Sequence, residues 1–224
     1  SIKVEVLLGE PAEEIIDYIE KNDISLAIMA SHGRSGIISW AMGSVANKVI
    51  QRISIPVLLI RARVPYPEIA KERLFNKILM PLDGSEAGEA AVSYIKELID
   101  RLESEVILLG VVPAGQHIHT IGGLEYVLYP EQHLELVKAE AREYFDKVYH
   151  RLAGGKGIVR VELRVGDVAQ EIIRFADETD TSIIAISAHG HSGIEKWVFG
   201  SVAHKILHVA SRPVLLVRIP DAEV

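Results

Sequence analysis

Residues 187–220 read SAHGHSGIEKWVFGSVAHKILHVASRPVLLVRIP, and residues 30–63 read ASHGRSGIISWAMGSVANKVIQRISIPVLLIRAR. Set side by side without a gap, the two stretches agree at roughly half of their positions. The register extends upstream, where Gly9-Glu10-Pro11-Ala12-Glu13-Glu14-Ile15-Ile16 matches Gly166-Asp167-Val168-Ala169-Gln170-Glu171-Ile172-Ile173. Self-similarity over that length marks a duplicated domain rather than a short motif. The duplication is lopsided, because residues 77–157 have no counterpart ahead of copy one. Copy one therefore reads as the C-terminal half of a domain, residues 1–64. A linker at 65–75, carrying Pro65 and Pro67, joins it to a complete copy at 76–220.

Composition bounds what the chain can be. Its 224 residues suit one to two domains, and 49% hydrophobic content is enough for a substantial core. A net charge of −7 without a basic patch argues against a nucleic-acid surface. With no cysteine, disulfides, thiol catalysis and thiolate metal sites are excluded. No apolar run reaches the length of a membrane span and no signal-peptide pattern is present, so a soluble cytoplasmic protein is expected.

Copy two can be read end to end. Asn76–Asp83 is a short apolar run stopping at Asp83-Gly84-Ser85, a strand meeting a turn, and Ser85-Glu86 opens a periodic stretch to about Leu102. Val106–Val112 is a continuous apolar run, as in a strand buried on both faces. A Gly- and His-rich loop is expected from Ala114 to Pro130, then a helix over 131–152 and a strand over Val159–Val165. Gly166-Asp167 supplies a turn and helix cap, Ser182–Ile186 is the next buried strand, Gly200-Ser201 opens another helix, and Pro213–Val217 is the last strand. Copy one repeats the final portion: a strand at Lys3–Leu7, a helix from Pro11, a strand at Leu26–Ala30, a helix after Gly43 and a strand at Val57–Ile60. Alternation of strands and helices implies an α/β fold, a parallel sheet covered by helices on both faces.

An open parallel sheet binds its ligand beyond the carboxyl ends of its strands, where strand order reverses. In copy two the strand ending at Ile186 delivers the chain to Ser187-Ala188-His189-Gly190, and Gly200-Ser201 opens a helix ten residues later. A helix start offers N–H groups and partial positive charge to an anion. Gly-Ser is equally an ordinary way to begin a helix, and spacing alone leaves both readings open.

That spacing resembles the universal stress protein family, whose nucleotide-binding members carry Gly-x2-Gly-x9-Gly-(Ser/Thr). The resemblance covers all of copy two and the half-domain of copy one, including Pro81-Leu82-Asp83-Gly84-Ser85-Glu86, Leu109-Gly110-Val111-Val112 and Arg212-Pro213-Val214-Leu215-Leu216-Val217. It implies a Rossmann-like, adenine-nucleotide alpha-hydrolase-like fold, an open five-stranded parallel sheet in the order 3-2-1-4-5. It also implies a site for ATP or another adenine nucleotide, with Mg2+ as an option beside the phosphates. By position, Asp83 with Pro81 and Val111 would hold adenosine, while Ile186, Ser187, His189, Gly190, Gly200, Ser201 and Val202 would surround the ribose and phosphates. The sequence departs from the pattern at its first glycine, replaced by Ser187 in copy two and Ala30 in copy one. Copy one keeps His32, Gly33, Gly43 and Ser44 but has no equivalent of Asp83, so it holds a partial site. Upstream residues, rather than another chain, are expected to complete its sheet.

Other constellations carry less. Gly190-His191-Ser192-Gly193 lacks the Gly-x-Ser-x-Gly spacing of a hydrolase elbow. His189 and His32 recur at one place and suit a loop hydrogen bond better than general-base catalysis. His204 with His208, and His117 with His119, are spaced to share a metal, but no third ligand is in view and copy one has Asn47 and Gln51 at the first pair's positions. No metal site is therefore assigned. Trp40 and Trp197 suit packing, and residues 138–143 a solvated helix face.

The functional expectation is a nucleotide-binding regulatory module in the stress response, in which ligand binding orders residues 188–199 and a partner reads the change. No residue looks like a strong catalytic base, so an enzyme is the less favoured reading. A slow ATP-hydrolysing or adenylyl-transferring enzyme and a non-binding dimeric scaffold are the alternatives. The last strands, Val57–Ile60 and Val214–Val217, are expected to pair antiparallel with each other or across a homodimer, because each is apolar, short and at a sheet edge.

Overall fold

The buried apolar runs of the sequence become the strands of one sheet. The computed structural model describes residues 2–30, 42–60, 74–120, 123–188 and 199–218. Copy one contributes helix α1 (Pro11–Lys21), strand β1 (Ala27–Ala30), helix α2 (Ser44–Arg52) and strand β2 (Val57–Ile60). Copy two begins with β3 (Lys77–Pro81), α3 (Ala90–Leu102), β4 (Glu105–Val112), β5 (Gly115–Thr120), β6 (Gly123–Leu128) and α4 (Glu131–Leu152). It continues with β7 (Ile158–Val165), α5 (Val168–Glu178), β8 (Ile183–Ser187), α6 (Ser201–Val209) and β9 (Val214–Val217). Among the described residues no helix is long and apolar enough to cross a membrane.

Seven strands lie in the order β1-β2-β9-β8-β3-β4-β7. Copy two supplies five mutually parallel strands, which in their own sequence order read 3-2-1-4-5 from the β7 edge. The last strands of the two copies meet antiparallel, with Val57 opposite Leu216, Leu58 opposite Leu215 and Leu59 opposite Val214. Beyond this joint β1 pairs parallel with β2. Neither last strand is left as an edge, which satisfies main-chain groups that would otherwise need a partner.

Side chains of the paired strands alternate between two cores. Val57, Leu59, Val214 and Leu216 face one core with α1, α2, α5 and α6, whereas Leu58, Leu215 and Val217 face the other with α3 and α4. Each core contains residues of both copies, so copy one buries its apolar surface against copy two. The period-2 pattern and the antiparallel joint together produce this sharing.

Three local expectations are corrected. Residues Lys3–Leu7 form no strand, and Ile2, Val4, Val6 and Leu8 are 94%, 82%, 85% and 94% exposed. Their equivalents in copy two form β7, which is held by a full ladder to β4. This sequence contains no β4 equivalent for copy one, and a strand pattern without a neighbour makes no ladder. The loop expected at 114–130 is largely the antiparallel hairpin β5–β6. Its glycines hid the strand signal, yet Gly115 lies so close to the Val127 carbonyl that a side chain there would collide with it. Finally, α3 starts at Ala90 rather than at Ser85, because residues 86–89 form a turn tied back to Asp83. Of the linker at 65–75, only Leu74 and Phe75 lie among the described residues.

Candidate functional site

β3 has β4 on one side and β8 on the other, and its chain leaves toward β4 while the later crossover returns to β8. This is the point where strand order reverses, and a cleft of about 400 Å³ opens there at the carboxyl ends of the strands. Its size falls within the ordinary range for small-molecule sites. Pro81 and Asp83 reach it from the end of β3, Val111 from β4, Ile186 and Ser187 from β8, and Gly200, Ser201 and Val202 from the start of α6. Eight residues singled out from four separated stretches thus line one cleft. His189 and Gly190, with His32, Gly33, Trp40 and Trp197, lie outside the described residues, as does the stretch Gly190-His191-Ser192-Gly193.

The cleft lining is chemically mixed. Leu109, Val111, Pro113, Val168, Ile172 and Ile206 make one part apolar, while Asp83, Ser187 and Ser201 supply polar groups. Sequence reading missed Gly88, Leu109, Val168 and Ile172 as lining residues. Leu109 was within reach, since it sits two residues before Val111 on a strand and shares its face. Gly88 carried no local signal, because its place depends on how the turn folds.

Asp83 is fixed by its own turn. Its Oδ1 accepts from the Ser85 N–H at 3.0 Å and from Ser85 Oγ at 2.6 Å, and Ser85 Oγ accepts from the Gly88 N–H at 2.9 Å. Behind the turn, Arg151 of α4 forms an ion pair with Glu89. Tyr144 lies nearby, its phenol titrating well above the ordinary tyrosine value, first because of burial and then because of the Glu89 carboxylate.

Gly200, also in the cleft lining, precedes α6 with φ −55° and ψ 151°, and no side chain caps the helix. The first N–H groups of a helix have no partner within it, so this end presents donors and partial positive charge. Gly43 precedes α2 with nearly the same geometry, φ −58° and ψ 146°, with Ser44 as the first helical residue. Ala30 ends β1 and is exposed. Copy one thus repeats the helix start without the wall that Asp83 gives copy two.

No cluster of three or more histidine, aspartate or glutamate side chains able to hold a metal occurs among the described residues. His204 and His208 stack with ring centroids 4.1 Å apart, and burial followed by the neighbouring His208 holds His204 below the usual histidine value. His117 and His119 lie on β5, with their side chains outside the described set.

A search of family models matches residues 1–61 and 74–218 to the universal stress protein family. The chain belongs to the universal stress protein family. A universal stress protein of Methanocaldococcus jannaschii is 31% identical over 153 residues, covering 68% of this chain and 87% of that one. A longer universal stress protein of Mycobacterium bovis is 24% identical over 230 residues, covering 97% of this chain and 69% of its own. That relative is thus matched along almost the whole of this chain. Among solved structures, a universal stress protein of Archaeoglobus fulgidus superposes with a TM-score of 0.59 at 19% identity, covering 96% of this chain and 67% of that one. One from Lactobacillus plantarum gives 0.51 at 22% identity, covering 64% and 98%. At these identities the structures support the fold of this universal stress protein and leave its ligand to be argued from its own cleft.

Proposed function

We propose that this universal stress protein is a regulatory module that binds one adenine nucleotide in the cleft between β3 and β8. The observation that carries the reading is the convergence of Asp83 and the Gly200-Ser201 helix start on one cleft with a largely apolar lining. An adenine nucleotide has the matching parts: a flat, weakly polar base, a ribose with paired hydroxyls, and an anionic tail. Val111 and Pro81 would flank the base, Asp83 would accept from ribose hydroxyls, and the N–H groups at Ser201 and Val202 would meet phosphate oxygens. His189 and Gly190 follow Ser187 in sequence and are assigned to the site by the family pattern alone. Mg2+ would enter with the phosphates, since Asp83 is the single carboxylate lining the cleft among the described residues.

Binding is favoured over turnover. Asp83 is engaged by Ser85, and no second acid or base lines the described cleft to activate a nucleophile. Equilibrium titration with ATP, ADP and AMP tests the reading. Asp83→Ala and Gly200→Val should each abolish measurable binding while the fold persists by circular dichroism. Unchanged affinity in both variants would exclude this cleft as the site.

A further inference from the structure

Ser187 stands where the family pattern has its first glycine, and its side chain has an unexpected use. The residue ends β8 and lines the cleft, and its Oγ donates to the Ala87 carbonyl at 2.6 Å, a hydrogen bond spanning 100 residues of sequence. Ala87 belongs to the 84–89 turn that determines where the Asp83 carboxylate lies. From Ala87 the connection runs through Gly88, whose N–H donates to Ser85 Oγ, and on to Asp83 Oδ1 through the Ser85 hydroxyl. The turn packs tightly on that carboxylate, since a Cβ on Gly88 would lie 2.5 Å from Asp83 Oδ1. A shift of the Ala87–Gly88 peptide is therefore passed to Asp83.

We propose that Ser187 is a positioning residue that straps the 84–89 turn to the end of β8 and so sets the Asp83 carboxylate against the ligand. This rests on the nucleotide-site reading and deepens it. Two further observations support the strap. The turn is also held by the ion pair of Glu89 with Arg151 of α4, so the Ser187 bond adds a second attachment, from a residue that lines the cleft. The two copies also differ in the matching way. Ala30 has no hydroxyl, and copy one has no equivalent of the 84–89 turn in this sequence. The hydroxyl is present in the copy that has a turn to hold. A glycine could not make this bond, so the substitution exchanges cleft space for a fixed wall. That is a gain where a carboxylate must be preorganised for ribose hydroxyls.

The test uses the full chain with Ser187→Ala, Ser187→Thr, Ser85→Ala and the Ser187→Ala/Ser85→Ala double variant. Without ligand, Ser187→Ala should speed amide hydrogen exchange at Gly88 and Glu89 by roughly 3- to 10-fold, the worth of one net hydrogen bond, and Ser187→Thr should restore slow exchange. With ATP as the probe, Ser187→Ala should weaken binding by a similar factor. The loss should vanish in the Ser85→Ala background, because both substitutions cut the same connection. Unchanged exchange at 84–89 in Ser187→Ala would overturn the strap. Losses that simply multiply in the double variant would overturn action through the turn and point to direct contact with the nucleotide. No binding of ATP, ADP or AMP by the unaltered chain would overturn the nucleotide reading and the positioning role with it, whatever the exchange result.

Discussion

Asp167 and Glu10 hold the same position in the two copies, just ahead of α5 and α1, but only Asp167 caps its helix with a side chain. Its Oδ1 accepts from the Gln170 N–H at 2.9 Å and from Lys205 Nζ at 3.0 Å, tying the start of α5 to α6 beside the cleft. The carboxyl titrates below the ordinary aspartate value, chiefly because of the Gln170 N–H, against partial burial, with Lys205 adding to the lowering. Asp167→Ala should cost about 1 kcal/mol at neutral pH, the usual worth of such a cap. A depressed folded-state value means that the contribution is complete above the unfolded carboxylate value and is lost as pH falls through the folded one. Urea melts of the two proteins should therefore differ at pH 7 and converge as the pH falls through the lowered value of the folded carboxyl. Residues at this scale were partly legible in the sequence. Asp83, Gly200 and Ser201 stand where a buried strand ends or a helix begins, and the family resemblance is what singled them out as site residues. The Ser187–Ala87 bond and the approach of Gly88 to Asp83 were not legible, because both depend on parts of the chain distant in sequence or on the detailed path of a turn.

Elements show how far a pattern alone can carry. Residues 2–8 and β7 are repeats of each other with the same alternation, yet only β7 is a strand, because only β7 has β4 beside it. Alternation reports that a segment can serve as a strand, and a neighbour decides whether it does. The same logic ranks substitutions. Leu58 is fully buried opposite Leu215, at the joint of the two copies. Leu58→Ala should destabilise the protein by about 2–5 kcal/mol. Val6→Ala, at a side chain 85% exposed, should stay within about 0.5 kcal/mol of the parent. Denaturant unfolding of both variants checks the contrast, and equal costs would mean that residues 2–8 are packed. The helices were legible almost to the residue where amphipathic spacing and end signals agree, as for α4 over 131–152. The start of α3 was misplaced because Asp83 and Ser85 hold 84–89 as a turn, and the β5–β6 hairpin was hidden by glycines that weaken the strand signal.

For the molecule as a whole, the duplication yields one sheet rather than two separate ones. The sheet runs unbroken from β1 to β7, and each of the two cores draws residues from both copies. Two halves sharing both cores should unfold together, so scanning calorimetry should show one transition with equal calorimetric and van't Hoff enthalpies. Two resolved transitions would mean that the antiparallel joint is weak. The order of strands within copy two followed from the family resemblance, and the pairing of the last strands from the sequence, since apolar edge strands need partners and the repeat provides two alike. The proposed function rests on the asymmetry of the duplication. Copy two has both Asp83 and the Gly200-Ser201 helix start at the cleft, whereas copy one has the helix start at Gly43-Ser44 without a counterpart of Asp83 in this sequence. The most direct test is isothermal titration of the unaltered chain with ATP, read for stoichiometry. One nucleotide bound per chain, and none in Asp83→Ala, is the expected result; no binding, or two nucleotides per chain, would contradict a single adenine-nucleotide site between β3 and β8.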